Sequence, residues 1–289
     1  MFLLKRLFDF LIYSNLFIAL ASVFFTMESQ VQFGMHPQWH PYLFLILFAT
    51  LFEYNLHKFV TVILNKNILK HEKFSWINQN LYLFYFIVFA SVAGFIITCC
   101  FAKPEVLIAL LPLGAITVLY SFPLYRSGKT IFRLREIPLA KIFLISLVWS
   151  ATCIILPVVQ AGIRPGILQV LLVITERFLF VFAITIPFDI RDMEGDKKNK
   201  LQTFPILFGE KNAMLMANIA VFLFMVICTV HYYRTQQLFL VYAFLLSGIS
   251  TFYFLNSKRI KRLVHYHYGV LDGTMLLQGI LVLLFYYLK

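Results

Sequence analysis

Residues 81–101 read LYLFYFIVFASVAGFIITCCF, a run without a single charged residue. At about 1.5 Å of rise per residue, a helix of this length covers the ~30 Å hydrocarbon core of a bilayer. The apolar residues do not alternate with polar ones, so the run does not read as the strand of a transmembrane barrel. Backbone groups in lipid must pair internally, and a membrane-spanning helix is the remaining choice. The pattern repeats on both sides of this stretch. Spans are predicted at 8–27, 41–64, 81–101, 105–124, 138–160, 166–188, 213–233, 237–256 and 268–288. The fold class is therefore all-α, a polytopic membrane protein of about nine transmembrane helices, with residues 1–289 as one integral membrane domain.

Composition agrees. Of 289 residues, 61% are hydrophobic and 13% charged, where a soluble domain carries about a quarter charged. Too little polar surface is left to face water all round. The net charge of +12 is unevenly placed. Loops at 65–80, 125–137, 189–212 and 257–267 hold most of the basic residues, and the opposite side holds only Lys103, Arg164, Arg234 and Lys289. The positive-inside rule then puts the N-terminus in the cytoplasm and the C-terminus outside, in what is expected to be a bacterial inner (cell) membrane. The charge also suits anionic membrane lipids as partners. No aromatic-basic platform is present, so nucleic acid is not expected as one. Outer connections are short except at 28–40. The cysteines Cys99, Cys100, Cys153 and Cys228 lie in apolar spans without metal-ligand spacing and read as packing residues.

The segment Phe188-Asp189-Ile190-Arg191-Asp192-Met193-Glu194-Gly195-Asp196-Lys197-Lys198 is the most informative for chemistry. If the sixth span continues through it, Asp189, Asp192 and Asp196 fall at i, i+3 and i+7 on one stripe, with Glu194 elsewhere. Carboxylates on one stripe repel unless a cation sits among them, and hard oxygen ligands suit Mg²⁺. A solvated mixed-charge loop is the competing reading.

This run, followed by Thr203 and Ile206-Leu207-Phe208-Gly209, resembles the second aspartate-rich motif of the UbiA superfamily of intramembrane prenyltransferases. Tyr120-Ser121-Phe122-Pro123, the basic residues after it, Pro138 and Lys141 look like that family's loop between helices four and five. The resemblance implies a helical bundle around a lipid-accessible cavity. Mg²⁺ would bridge Asp189, Asp192 and Asp196 to an isoprenyl diphosphate at the cytoplasmic face. The implied reaction moves the prenyl group to an aromatic or other lipophilic acceptor. Tyr120, Arg135 and Lys141 are then candidate substrate contacts.

The family's first motif, an Asn-Asp-x-x-Asp cluster near the inner end of helix two, is replaced here by Phe52-Glu53-Tyr54-Asn55-Leu56-His57-Lys58-Phe59. Asn55 stands in for the family's Asn, and both aspartates are missing. Polar groups this deep must face protein or a wet cavity. Three readings stay open: Glu53 and His57 hold a metal, Lys58 binds diphosphate oxygen directly, or Glu53, His57 and Lys58 form a neutralising structural network. Asn55, His57 and Lys58 are accordingly candidate substrate-binding residues. The alternative function is a UbiA-like lipid-binding or membrane partner protein that has lost transferase chemistry with the first motif. Elsewhere, Glu176-Arg177 lies mid-span, where each residue is expected to pair with another helix. Asp272 is expected at a helix N-terminus, stabilised by the dipole.

Overall fold

The computed structural model describes residues 2–64, 75–121, 125–127, 130–132, 137–198 and 201–289. The chain opens with α1 (Phe2–Tyr13) and α2 (Leu16–Gln32), bent by 77° at the break between them. Then follow α3 (Pro41–Leu64), the short α4 (Ser75–Gln79), α5 (Leu81–Phe101) and α6 (Pro104–Ser121). A small antiparallel hairpin pairs Tyr125–Ser127 with Thr130–Phe132. Next come α7 (Ala140–Ala161), the long α8 (Ile167–Lys198), α9 (Phe204–Phe208), α10 (Glu210–Arg234), α11 (Leu238–Asn256) and α12 (Lys258–Lys261). A π-helical turn (Tyr266–Leu271) leads into α13 (Asp272–Leu288).

Among the described residues, seven helices are long and apolar enough to cross a membrane, or eight with the bent pair as one span, and Pro104–Tyr120 is a shorter apolar helix. The all-helical membrane bundle read from the sequence is thus present. Two boundaries differ. The expected first span at 8–27 is broken at Ser14-Asn15, where Asn15 adopts a left-handed conformation (φ 63°) that asparagine tolerates better than most residues. Asn15 is held there by its side chain, which donates to Asn55 Oδ1 at 2.8 Å. Residues 28–32, expected in an outer loop, instead form the last turn and more of α2. Glu28, Ser29, Gln30 and Gln32 are all buried, because helices packed around them supply polar partners.

Successive spans alternate in direction. One end of the bundle gathers the 13–15 turn, the C-terminal ends of α3, α6, α8 and α11, and the N-terminal ends of α5, α7, α10 and α13. The core is built where α2 meets α13 and α7 and where α10 meets α8 and α11, around Phe25, Phe180, Phe224, Tyr232 and Phe244. α2 and α13 approach closely at Gly279, where a Cβ would lie 2.5 Å from the Phe24 carbonyl oxygen. Without a hydrophobic drive between helices in lipid, such small-residue contacts and buried polar pairs hold the bundle.

Candidate active site

Helix α8 does not stop at the end of its apolar run. It continues through Pro187 to Lys198, so Asp189 and Asp196 sit two turns apart on nearly one line. Across from them, Leu139 takes a left-handed conformation (φ 62°) and donates its N–H to the Gln202 carbonyl at 3.0 Å. That fixes the start of α7 and puts Lys141 in its first turn. Lys141 Nζ lies 2.8 Å from Asp189 Oδ1 and 3.2 Å from Asp196 Oδ2. The Asp189 side chain is only 4% accessible, and its second oxygen, Oδ2, is buried without a hydrogen-bond partner.

Asp192 does not join this pair. Its oxygens accept from Arg191 Nε at 2.8 Å and Nη2 at 3.0 Å, and its side chain is 43% exposed. Arg191 in turn packs over the rings of Phe188 and Tyr268, the latter in the π-helical turn. Glu194 is exposed, as its place off the stripe requires. The structure therefore brings together two of the three aspartates, with Lys141, and leaves the third on the rim. Among the described residues, no group of three or more His, Cys, Asp or Glu side chains gathers in metal-binding geometry.

In the segment that replaces the first motif, Asn55 and Lys58 face elsewhere. Asn55 is fully buried; it donates to the Ser14 carbonyl at 3.0 Å and the Leu51 carbonyl at 2.9 Å. Lys58 Nζ donates to the Tyr13 carbonyl at 3.4 Å and Asn15 Oδ1 at 3.2 Å. Both thus tie α3 to the break between α1 and α2. The side chain of His57, and Lys66, Lys70, His71, Lys73, Arg126, Lys129, Arg133 and Arg135, lie outside the described residues as far as side chains are concerned.

Beside the cluster, α3, α5, α6 and α7 enclose a cavity of about 610 Å³. Its walls are apolar and aromatic, with Phe52, Tyr54, Phe95 and Trp149 among them, and Glu53 is the one charged residue on the lining. Tyr120, at the end of α6, lines the cavity and lies within electrostatic reach of both Lys141 and Tyr54. Leu144 and Ile145, one turn beyond Lys141 on α7, also line it, so the cavity lies next to the Lys141–aspartate cluster. The sequence reading passed over Tyr54, Trp149 and Thr117 on this wall. They look like ordinary span residues, and only the run of polar residues around Asn55 hinted that this face of α3 borders a cavity.

Residues 79–264, well over half of the chain, match the UbiA prenyltransferase family. The chain belongs to that family. It is an intramembrane prenyltransferase by class, and solved structures share its fold. The apo structure of a UbiA homolog from Aeropyrum pernix K1 superposes with a TM-score of 0.64 at 12% identity, covering 92% of this chain and 97% of that one. A UbiA homolog from Archaeoglobus fulgidus bound to GPP and Mg²⁺ gives a TM-score of 0.58 at 15% identity, covering 94% and 99%. No curated protein matches the sequence.

A second polar cluster lies deeper in α8. Arg177 Nη2 meets Glu28 Oε1 at 2.7 Å, and donates to Ser29 Oγ and Gln32 Oε1, each at 2.8 Å. Its other terminal nitrogen donates to the Phe25 carbonyl, and the guanidinium stacks over the Phe25 ring. Glu176 turns the other way, to His231 Nδ1 at 2.7 Å and the Tyr232 hydroxyl at 2.9 Å. Gln278 joins Glu28 to Ser247. Each thus pairs with another helix, as expected, and both also meet Gln32 of α2, whose amide donates to Glu176 Oε2 at 3.3 Å. Asp272 is buried at the start of α13, but the π-helical turn runs into it without a break, so it does not occupy the free helix N-terminus that the sequence suggested.

Proposed function

We propose that this UbiA-family chain ionises an isoprenyl diphosphate at the Asp189–Asp196–Lys141 cluster and passes the prenyl group to a lipophilic acceptor held in the adjoining cavity. The observation that carries this reading is the juxtaposition itself: a charged cluster at the bundle end, joined through Tyr120 to a deep apolar cavity. A diphosphate bears a polar head and a greasy tail, and the two compartments fit the two parts.

The donor set also suits Mg²⁺. Asp189 offers an orphaned, buried carboxylate oxygen, Asp196 a second carboxylate, and both are hard ligands. Asp189 and Asp196 would hold the ion, with Asp192 as a neighbour on the rim. Bound there, Mg²⁺ supplies positive charge that stabilises the departing diphosphate. That the Archaeoglobus fulgidus homolog is described with GPP and Mg²⁺ is in keeping with this.

The chain's own residues do the rest. Lys141 carries a proton and a positive charge to the same place and can donate to a diphosphate oxygen. The apolar walls exclude water from an allylic cation, and the faces of Tyr54, Phe95 and Trp149 offer it ring quadrupoles. Arg135, Tyr120, Asn55, His57 and Lys58 remain proposed substrate contacts, although in this structure Asn55 and Lys58 are bonded to the turn at residues 13–15. The positive-inside asymmetry of the loops supports a cytoplasmic face for the cluster.

The test is turnover of labelled isoprenyl diphosphates of several lengths by the purified full chain in nanodiscs, with Mg²⁺ and a panel of lipophilic acceptors. Transfer in the wild type and its loss in Asp189→Asn support the reading. A second reading, a lipid-binding protein without chemistry, draws on the structural role of Asn55 and Lys58 and on the absent aspartates. It requires tight lipid retention with no diphosphate binding at all.

A further inference from the structure

Glu53 lies on the cavity wall of α3, and its surroundings are unusual for a carboxylate. The cavity lining is otherwise apolar, aromatic or neutral. Among the described side chains no hydrogen-bond or ion-pair partner approaches Glu53, and Tyr54 is its electrostatic neighbour. The cation nearest in sequence, Lys58, is turned to Tyr13 and Asn15. Its oxygens are not sealed in the protein interior like the orphaned oxygen of Asp189, so they face the cavity. A carboxylate in apolar surroundings is costly to keep unpaired, and among the described side chains none in the packing of α3 uses it.

The place matters as much as the isolation. Glu53 adjoins Tyr54 in the cavity, and Tyr54 is within electrostatic reach of Tyr120, which reaches Lys141. A group at Glu53 is therefore at the reacting end of the cavity, not at its far end near Leu45 and Leu110. A hydrogen-bond acceptor in such a wall recognises a ligand that brings a donor, since an apolar ligand would leave the carboxylate unpaired.

Building on the prenyltransferase reading, we infer that Glu53 is the acceptor-side catalytic residue: it binds the hydroxyl of an alcohol or phenol and takes its proton as the prenyl group is transferred. The balance is complete. The bond from C1 of the prenyl chain to the bridging diphosphate oxygen breaks, and its electron pair leaves on diphosphate. The acceptor oxygen forms the new bond to C1, and the O–H proton passes to the Glu53 carboxylate. No oxidant or further reactant is needed. The substrate class on the acceptor side is thereby narrowed to lipophiles with a hydroxyl group at the reacting end. The other titratable groups on the lining are Tyr54, Tyr120 and Cys153, with Asp272 facing Tyr54 from α13.

The experiment uses the full chain in nanodiscs with Mg²⁺ and a non-ionisable thio analogue of geranylgeranyl diphosphate. Binding of para-octylphenol is compared with that of its methyl ether. The wild type should prefer the phenol by about tenfold or more, the scale of a charged hydrogen bond. Glu53→Gln should lose most of that preference while binding the diphosphate analogue as the wild type does. With reactive geranylgeranyl diphosphate, its transfer to the phenol should fall about 100-fold or more, the usual contribution of a general base. Glu53→Asp should recover part of it. Equal wild-type affinity for phenol and ether overturns the inference without any variant, so a misfolded Glu53→Gln does not protect it. Undiminished transfer in Glu53→Gln also overturns it and leaves the prenyltransferase reading intact. A wild type that binds no diphosphate analogue takes both down together.

Discussion

Arg177 and Asp189 lie on the same helix, about 18 Å apart along its axis, and their surroundings differ in kind. Around Arg177, α2 brings Glu28, Ser29 and Gln32, and α10, α11 and α13 extend the network through Tyr232, Ser247 and Gln278. Arg177 is 1% accessible and Glu28 not at all, and Arg177 Nε and Glu28 Oε2 are left without partners. Around Asp189, the partner is one lysine, one carboxylate oxygen is left over, and a cavity adjoins. The first cluster is sealed from solvent by the fold. The second lies at the end of the bundle beside a cavity. Charge buried in a membrane bundle therefore needs to be read through its place: a group sealed inside a network that links several helices holds the architecture, and a group with a spare oxygen beside a cavity is available for chemistry.

This contrast is open to attack by substitution. The largest effect is expected in the closed cluster. Arg177→Met strands Glu28 without its counter-ion, and breaking a buried pair this way costs about 3–5 kcal/mol. Thermal unfolding in detergent should show it, and a stability near wild type would mean the cluster is not structural. Combining it with Glu28→Gln should recover part of the loss.

Lys141→Met comes next, with two effects of opposite sign. Losing the ammonium leaves Asp189 and Asp196 facing each other, so Mg²⁺ affinity should rise while diphosphate affinity falls, each by about 1–3 kcal/mol. Calorimetry with each ligand alone separates them. If both move together, Lys141 is a packing residue.

Lys58→Gln probes the replaced motif. If Lys58 has taken over part of a lost metal's role, diphosphate affinity falls by about 1–3 kcal/mol and its Mg²⁺ dependence steepens. Asn15→Ala is the control. It loosens the same turn between α1 and α2, and equal effects on melting with no effect on binding in either variant would restrict Lys58 to that turn. The smallest effect belongs to Glu194→Ala, exposed and off the stripe, which should stay within about 0.5 kcal/mol of wild type in both stability and binding.

Much of this was legible in the sequence, because length and apolarity of a span are enough to specify a membrane helix. The alignment of Asp189 with Asp196 also followed, since spacing on a continuous helix fixes direction. The diversion of Asp192 to Arg191 did not, because adjacent side chains on a helix rarely face each other and nothing in the spacing shows that a fork–fork contact wins. Residues 28–32 were misplaced for a related reason. A polar run at the end of a span looks like a loop until its partners on α8, α10 and α13, distant in sequence, are known. The break at Asn15 was hidden too, since Asn55, which holds it, lies on another helix.

The separation of an architectural from a chemical cluster on α8 is tested most directly by Mg²⁺-dependent binding of geranylgeranyl diphosphate to the folded Asp189→Asn/Asp196→Asn variant in nanodiscs, side by side with wild type. Binding in the double variant should weaken by at least tenfold, with a melting temperature close to that of wild type. A double variant that binds as tightly as wild type, or that fails to fold while Arg177→Met folds normally, would contradict it.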